Sequence, residues 1–338
     1  MAIMGPIKFT IDSVVPRDRM CYNKLIYCFC EKEALFMILC DTHADTLFAL
    51  ATRPERADQF DVSLAKLQQG GVSAQTLALY VGGRPDTALM AQLFDKMYAA
   101  LEGLKQQGWK QLDDYRDAVE GESAFVLSVE GCDLLEGDLS MISDWRRRGV
   151  RMAALTWNHE NCVATPASFG PEKGLKPFGR EAVKEMQRLG IGVDTSHLNV
   201  RGFYDLLEMG IIPLASHSCC TALCDHRRNL TDQQLKDLFQ AGGYVGVNFY
   251  PHFLKNDGNA ALSDVCDHIL HMLEMGGDGH IGFGSDFDGI ECKPEGLSGP
   301  QDLPALLAAL KERGLSDAQI RGIAGENLLR YYDRIDPR

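Results

Sequence analysis

Short apolar runs recur along this chain, each followed by a longer amphipathic stretch, and that alternation leaves few folds open. From Met37 onward the runs are ILCD (38–41), VSAQTLALYV (72–81), AFVLSVE (124–130), VRMAALTW (150–157), IGVDTS (191–196), IPLASH (212–217), YVGVNFY (244–250) and HIGFGSD (280–286). Segments such as TALMAQLFDKMYAALEGL and GREAVKEMQRLG lie between them and carry helical spacing. Strands that read as continuous apolar runs are buried on both faces, as in a parallel sheet covered by helices. Eight such strands close a (β/α)8 barrel. An open doubly wound sheet is the alternative. No glycine-rich nucleotide fingerprint follows the first strand, because DTHADT contains no glycine.

The 338 residues suit two ordinary domains or one large barrel. No linker splits the body, so residues 37–338 are expected to form a single barrel domain. Residues 1–36 differ: they are rich in cysteine, show no clean period and run up to Met37. They are either an added N-terminal segment packed on the body or a leader that contributes little. The net charge of -13 argues against nucleic acid or an anionic membrane as a general partner. No stretch reaches the roughly 18 apolar residues of a membrane span. The N-terminus lacks a signal-peptide pattern and the C-terminus lacks an anchor tail. A soluble, cytoplasmic protein is expected. The eleven cysteines are irregularly spaced, with CFC at Cys28 and Cys30 and an adjacent pair at Cys219 and Cys220. Reduced thiols fit this better than a disulfide framework or a zinc ribbon.

Polar groups gather where the apolar runs stop. The first run ends in Asp41, His43 and Asp45, the third in Glu130, the fourth in Trp157, Asn158 and His159. The fifth leads to His197, the sixth to His217, and the eighth to Asp286 and Asp288. Barrel active sites form at this C-terminal face, so residues distant in sequence would converge. His43 and Asp45, two apart, share a face if the chain stays extended. Three histidines and several carboxylates suit zinc or a similar divalent ion, and Glu130 has two oxygens with which to bridge a pair. A lone histidine at a strand end is more often structural. Carboxylates or histidines closing most of the eight apolar runs are another matter, since burying charge is costly unless it is paired or metal-bound. Serine hydrolase chemistry lacks its GxSxG elbow. Cys219 and Cys220 beside His217 show no independent sign of an activated thiol.

The pieces DTHADT, SVEG, GLKPFGREAVKEMQRLGIGVDTSH, ASHS followed by CDHRRN, VGVNFY and GFGSDFDGI come in this order across residues 38–335. Together they resemble the membrane (renal) dipeptidase family, peptidase family M19. The resemblance implies a (β/α)8 barrel with a binuclear zinc site. His43, Asp45 and Asp286 would hold one ion and His197 and His217 the other, with Glu130 bridging. A bridging water would attack the peptide carbonyl, and Asp286 would pass its proton. Arg228 would bind the substrate's C-terminal carboxylate, with Arg227 its neighbour in the same motif. The family also places a histidine after the fourth strand to steady the oxyanion. Here an ungapped match puts Trp157 at that place, and a short shift puts His159 there; His159 is favoured because an oxyanion needs a donor. Tyr250 either lines the pocket or faces the core. Asp41 has no metal role that the resemblance assigns, and bonding to loop backbone is expected of it.

The expected activity is that of a zinc-dependent dipeptidase, accepting dipeptides with a C-terminal D-residue among its substrates. One alternative is a metal-dependent amidohydrolase acting on a cyclic amide, lactone or N-acyl amino acid. The other is a non-catalytic, metal-binding barrel. Barrel enzymes of this kind often pair, which makes a homodimer the expected assembly.

Overall fold

Each apolar run contains one strand of a closed barrel. In the computed structural model, which describes residues 37–82 and 86–337, the strands are β1 (Cys40–Asp41), β2 (Ala74–Tyr80), β3 (Ala124–Glu130), β4 (Val150–Ala154), β5 (Gly192–Asp194), β6 (Leu214–Ser218), β7 (Tyr244–Val247) and β8 (Ile281–Phe283). Neighbours in sequence pair in parallel from β1 round to β8. The pairing of Asp41 with Phe283 joins β8 back to β1 and closes the ring. A further two-residue strand, Lys110–Gln111, pairs with the first residues of β3. The expected N-terminal extension, residues 1–36, lies outside the described residues.

The helices between strands follow from amphipathic patterning and local caps. The helix Pro177–Arg188 turns Ala182, Val183 and Met186 inward and leaves its charged residues outside. Thr231 and Gln234 form a reciprocal capping box that starts the helix Asp232–Gln240. Leu235 and Leu238 on that helix, with Ile269 and Met272 on Leu262–Glu274, are fully buried in the layer between helices and barrel. Each such side chain stabilises the fold by about 1.5–3 kcal/mol.

Inside the barrel, backbone approaches backbone. Thr42 Oγ1 donates to the carbonyl of Ser216 at 2.6 Å and lies 2.8 Å from that of Phe283. A Cβ at Gly284 would sit 1.7 Å from the Ser216 carbonyl oxygen, and one at Gly246 would sit 2.2 Å from it. Glycine is therefore required at both places. The N-terminal end of the barrel is closed by the helix Asn327–Ile335, whose Tyr332 donates to the carbonyl of Arg151 at 2.9 Å and whose Tyr331 donates to that of Ile212 at 3.0 Å. Among the described residues, eight cysteines are all free thiols, as the reduced-thiol expectation requires. Burial pushes the Cys219 and Cys220 thiols above their ordinary pKa, which argues against either as a nucleophile. No helix among the described residues is long and apolar enough to cross a membrane.

Candidate metal centre at the C-terminal mouth

Glu130 is the last residue of β3 and His217 lies within β6, so strand geometry aims both side chains. His43 follows β1, and Asp45 is the N-cap of the helix Thr46–Thr52. The link between these two is not the extended chain expected from their spacing: the backbone turns at Asp45, with φ -94° and ψ 24°. The turn still brings Asp45 Oδ2 to 3.8 Å from His43 Nε2. His197 follows the end of β5 and Asp286 the end of β8, both in left-handed backbone with φ of 67° and 66°. Such a conformation costs a non-glycine residue on the order of 1–3 kcal/mol and concentrates at functional sites.

These six side chains meet in one place. His43 Nε2 lies 3.7 Å from Glu130 Oε2 and 3.8 Å from Asp286 Oδ1. Glu130 Oε1 lies 3.1 Å from His197 Nε2 and 3.8 Å from His217 Nε2. The His43 and His217 rings are 3.9 Å apart. Among the described residues, two groups have donor atoms mutually within 4.8 Å: His43, Glu130 and His217, and His43, Asp45 and Asp286. His43 Nε2 and Asp45 Oδ1 are buried without a hydrogen-bond partner. Orphaned buried donors and acceptors are rare in a native fold.

The electrostatics favour a cation here. Burial, with the nearby charge of Asp45, raises the Glu130 carboxyl well above its usual range. Burial likewise lifts Asp286 to about 6. Burial opposes protonation of His43, yet the Glu130 carboxylate, with Asp45 and Asp286, raises it to about 10. His197 and His217 are pushed well below the normal histidine value by burial and by neighbouring cations, and their neutral nitrogens can act as ligands. Nitrogen and oxygen ligands on one zinc-type ion sit at about 2.0–2.2 Å, and so within about 4 Å of one another. The His43 separations of 3.7 and 3.8 Å meet that limit. The donor set, its orphaned atoms and its excess of acid fit a divalent metal.

A second layer holds the six in place; of its members the sequence pointed to Asn158 and Asp41, but not to Asn248 or Asp194. His197 Nδ1 lies 3.0 Å from Asn158 Oδ1, and its carbonyl accepts from Ala167 N at 2.8 Å. The polar segment 160–180 thus braces a candidate ligand. Asn248 Nδ2 donates to Asp286 Oδ2 at 2.9 Å. Asp41 accepts at Oδ1 from the backbone N–H of Ser285 (2.9 Å) and of His43 (3.2 Å). It bonds loop backbone as expected. Asp194 does the same from β5, accepting from Ser196 N at 2.8 Å and Ser216 N at 2.9 Å. The signal for this pair was the Asp-Thr repeated at two strand ends, in DTHADT and VDTSH.

The remaining candidates fall at varying distances. Arg228 is buried beside the cluster, with Nη2 3.4 Å from the His217 carbonyl, its guanidinium over the Phe253 ring and Nε unpartnered. Arg227 is exposed. Tyr250 is half-buried against Phe253; burial, with Glu291 close by, pushes its hydroxyl up to about 12. His159 is exposed and stacks on Trp157, with ring centres 5.6 Å apart. It lines a cavity of about 730 Å³ with Asp133, Glu136 and Glu160, none of them a member of the cluster. Trp157 is the one nearer the cluster, 6.1 Å from the His197 ring.

The family model of the membrane dipeptidases, peptidase family M19, matches residues 34–336. A Schizosaccharomyces pombe protein named as an uncharacterised dipeptidase is 34% identical over 299 residues, covering 81% of this chain and 72% of that one. The crystal structure of dipeptidase AC, a metallopeptidase of family M19, superposes with a TM-score of 0.81 at 25% identity, covering 88% of this chain and 99% of that one. A Rhodobacter sphaeroides metallopeptidase liganded with a phosphinate mimic of the dipeptide L-Ala-D-Ala gives 0.80 at 25% identity, with the same coverage of 88% and 99%. This chain therefore belongs to the membrane dipeptidase family, peptidase family M19, and is a metallo-dipeptidase.

Proposed function

We propose that the chain hydrolyses the single peptide bond of dipeptides, those ending in a D-residue included, at a pair of zinc or similar divalent ions. The observation that carries this reading is Glu130, which turns Oε2 towards His43 (3.7 Å) and Oε1 towards His197 (3.1 Å) and His217 (3.8 Å). A carboxylate with one oxygen on each side is suited to bridge two ions. His43, Asp45 and Asp286 would hold one, and His197 and His217 the other. When bound, the ions would supply an acidified water and polarise the scissile carbonyl.

The chain's own residues supply the rest. Asp286 rests Oδ2 on Asn248 and points Oδ1 into the cluster, where it can take a proton and deliver it to the leaving amine. The buried Arg228 fork, with its unpartnered Nε, would bind the dipeptide's free carboxylate in a bidentate pair. That requirement excludes bonds inside a long chain. The L-Ala-D-Ala mimic bound by the Rhodobacter sphaeroides metallopeptidase supports a D-residue at the C-terminal position. Purified protein should contain about two divalent ions per chain. Chelation should abolish Xaa-D-Ala hydrolysis, and the metal should restore it. Full activity in an ion-free preparation overturns the reading.

A further inference from the structure

Ser216 precedes His217 on β6, and its hydroxyl has three neighbours. Ser216 Oγ lies 2.5 Å from Asp194 Oδ2, 2.7 Å from His217 Nδ1 and 3.3 Å from Ser196 Oγ. All four residues are buried. A carboxylate oxygen only accepts, so the single hydroxyl proton of Ser216 goes to Asp194. The Ser216 oxygen is then an acceptor towards its other two neighbours, and His217 must present Nδ1–H to it. The imidazole proton is thereby fixed on Nδ1, and the lone pair is on Nε2, the atom facing Glu130.

We infer that Asp194 is a positioning residue that sets the tautomer of His217 through the Ser216 hydroxyl, leaving Nε2 free as a metal ligand. The ligand role rests on the proposed metal site; the tautomer does not. A metal-binding histidine commonly has its second nitrogen oriented by a carboxylate or carbonyl, and here a serine is interposed. The same Asp–Ser arrangement occurs at β1, where Ser285 Oγ donates to Asp41 Oδ2 at 2.5 Å. No histidine follows Ser285, and its hydroxyl has a second acceptor in the His43 carbonyl at 3.2 Å. Asp41 is thus an internal control: a buried carboxylate that likewise accepts from two backbone N–H groups but has no ring to set.

Asp194→Asn reverses the relay without removing a hydrogen bond. Asn Oδ1 keeps the two backbone N–H donors. Its Nδ2 donates to Ser216 Oγ, the hydroxyl turns to His217 Nδ1, and the ring proton moves to Nε2. The experiment is nitrogen NMR of ¹⁵N-histidine-labelled, metal-free full-length chain, with the His217 signals identified by their loss in His217→Gln. Wild type should show Nδ1–H at His217, Asp194→Asn should show Nε2–H, and Asp41→Asn should leave Nδ1–H. Zinc affinity, measured by competition with a chelator, should fall about 10–100-fold in Asp194→Asn. Ser216→Ala, which removes the relay altogether, should abolish the preference for Nδ1–H and serves if Asp194→Asn does not fold. Nε2–H at His217 in wild type, or an unchanged tautomer in Asp194→Asn, overturns the inference. A wild type that shows the expected tautomers but binds no metal overturns the metal reading and leaves the relay established.

Discussion

Arg151 and Glu130 are both buried charges on neighbouring strands, but they lie at opposite ends of the barrel. At the N-terminal end, Arg151 Nη2 lies 2.8 Å from Asp114 and 2.9 Å from Asp336, and its guanidinium carbon sits 5.0 Å over the Tyr332 ring. Arg116 adds a second pair to Asp114 at 2.8 Å. Burial alone would raise Asp114, but Arg116 and Arg151 hold its carboxyl below the usual range. At the C-terminal mouth, Glu130, Asp45 and Asp286 stand near one another, and burial pushes Glu130 and Asp286 upward. One end carries its own counter-ions. The other holds a surplus of buried acid that a cation from outside would balance. Conserving charge balance within the fold serves stability, while leaving it open serves binding.

The two ends should therefore answer to different measurements. Glu130→Gln should lower dipeptide kcat/KM by at least about 10³-fold, because the bridging charge is lost from a concerted site. It should cost under about 1 kcal/mol in urea unfolding of the metal-free protein; a large loss of stability would show that the mouth, too, is a structural network. Arg151→Met should do the reverse. It should destabilise by about 3 kcal/mol, since a buried ion pair that loses one partner leaves the other uncompensated. Its kcat/KM with metal bound should stay near wild type; a fall would couple the two ends.

Arg228→Ala sharpens the assignment at the mouth. It should reduce kcat/KM on free dipeptides roughly a hundredfold, mainly through KM, as expected for a lost charged bidentate pair. Hydrolysis of the corresponding dipeptide amides should change little. Equal loss on both substrates would remove Arg228 from carboxylate binding. The smallest effect is a pH dependence at the N-terminal end. Asp114 has a folded-state pKa below its unfolded value of about 3.9, so its contribution is present above that value and lost as pH falls through the folded one. The stability advantage of wild type over Asp114→Asn should be constant at neutral pH and shrink below about pH 4. An advantage that grows on acidification would contradict the ion pairing.

Much of this was legible in the residues themselves. The eight apolar runs contain the eight strands, because parallel strands buried on both faces need continuous apolar sequence. The candidate ligands were legible because charge at the end of an apolar strand is conspicuous. What stayed hidden was mostly neutral, with Asp194 the charged exception. Asn158, Asn248 and Ser216 look like ordinary loop and strand residues, and nothing in their local sequence says which side chain they will meet. His159 drew attention as an imidazole, yet the residue beside His197 is its neighbour Asn158.

By itself the sequence determined the barrel and the chemistry available to it: strand periodicity depends on neighbours a few residues apart, and residue type sets what can bind a metal. Tertiary structure alone decided which groups meet. His43, Glu130 and His217 converge only when β8 closes on β1, and His197 and Asp286 reach the cluster through left-handed turns that no alternation pattern encodes. Hydrogen bonds between strands far apart in sequence, such as Asp41 to Ser285, then hold the residues that flank the candidate ligands. These contacts are long-range, directional and particular to the closed ring, so they exist only once the ring has formed.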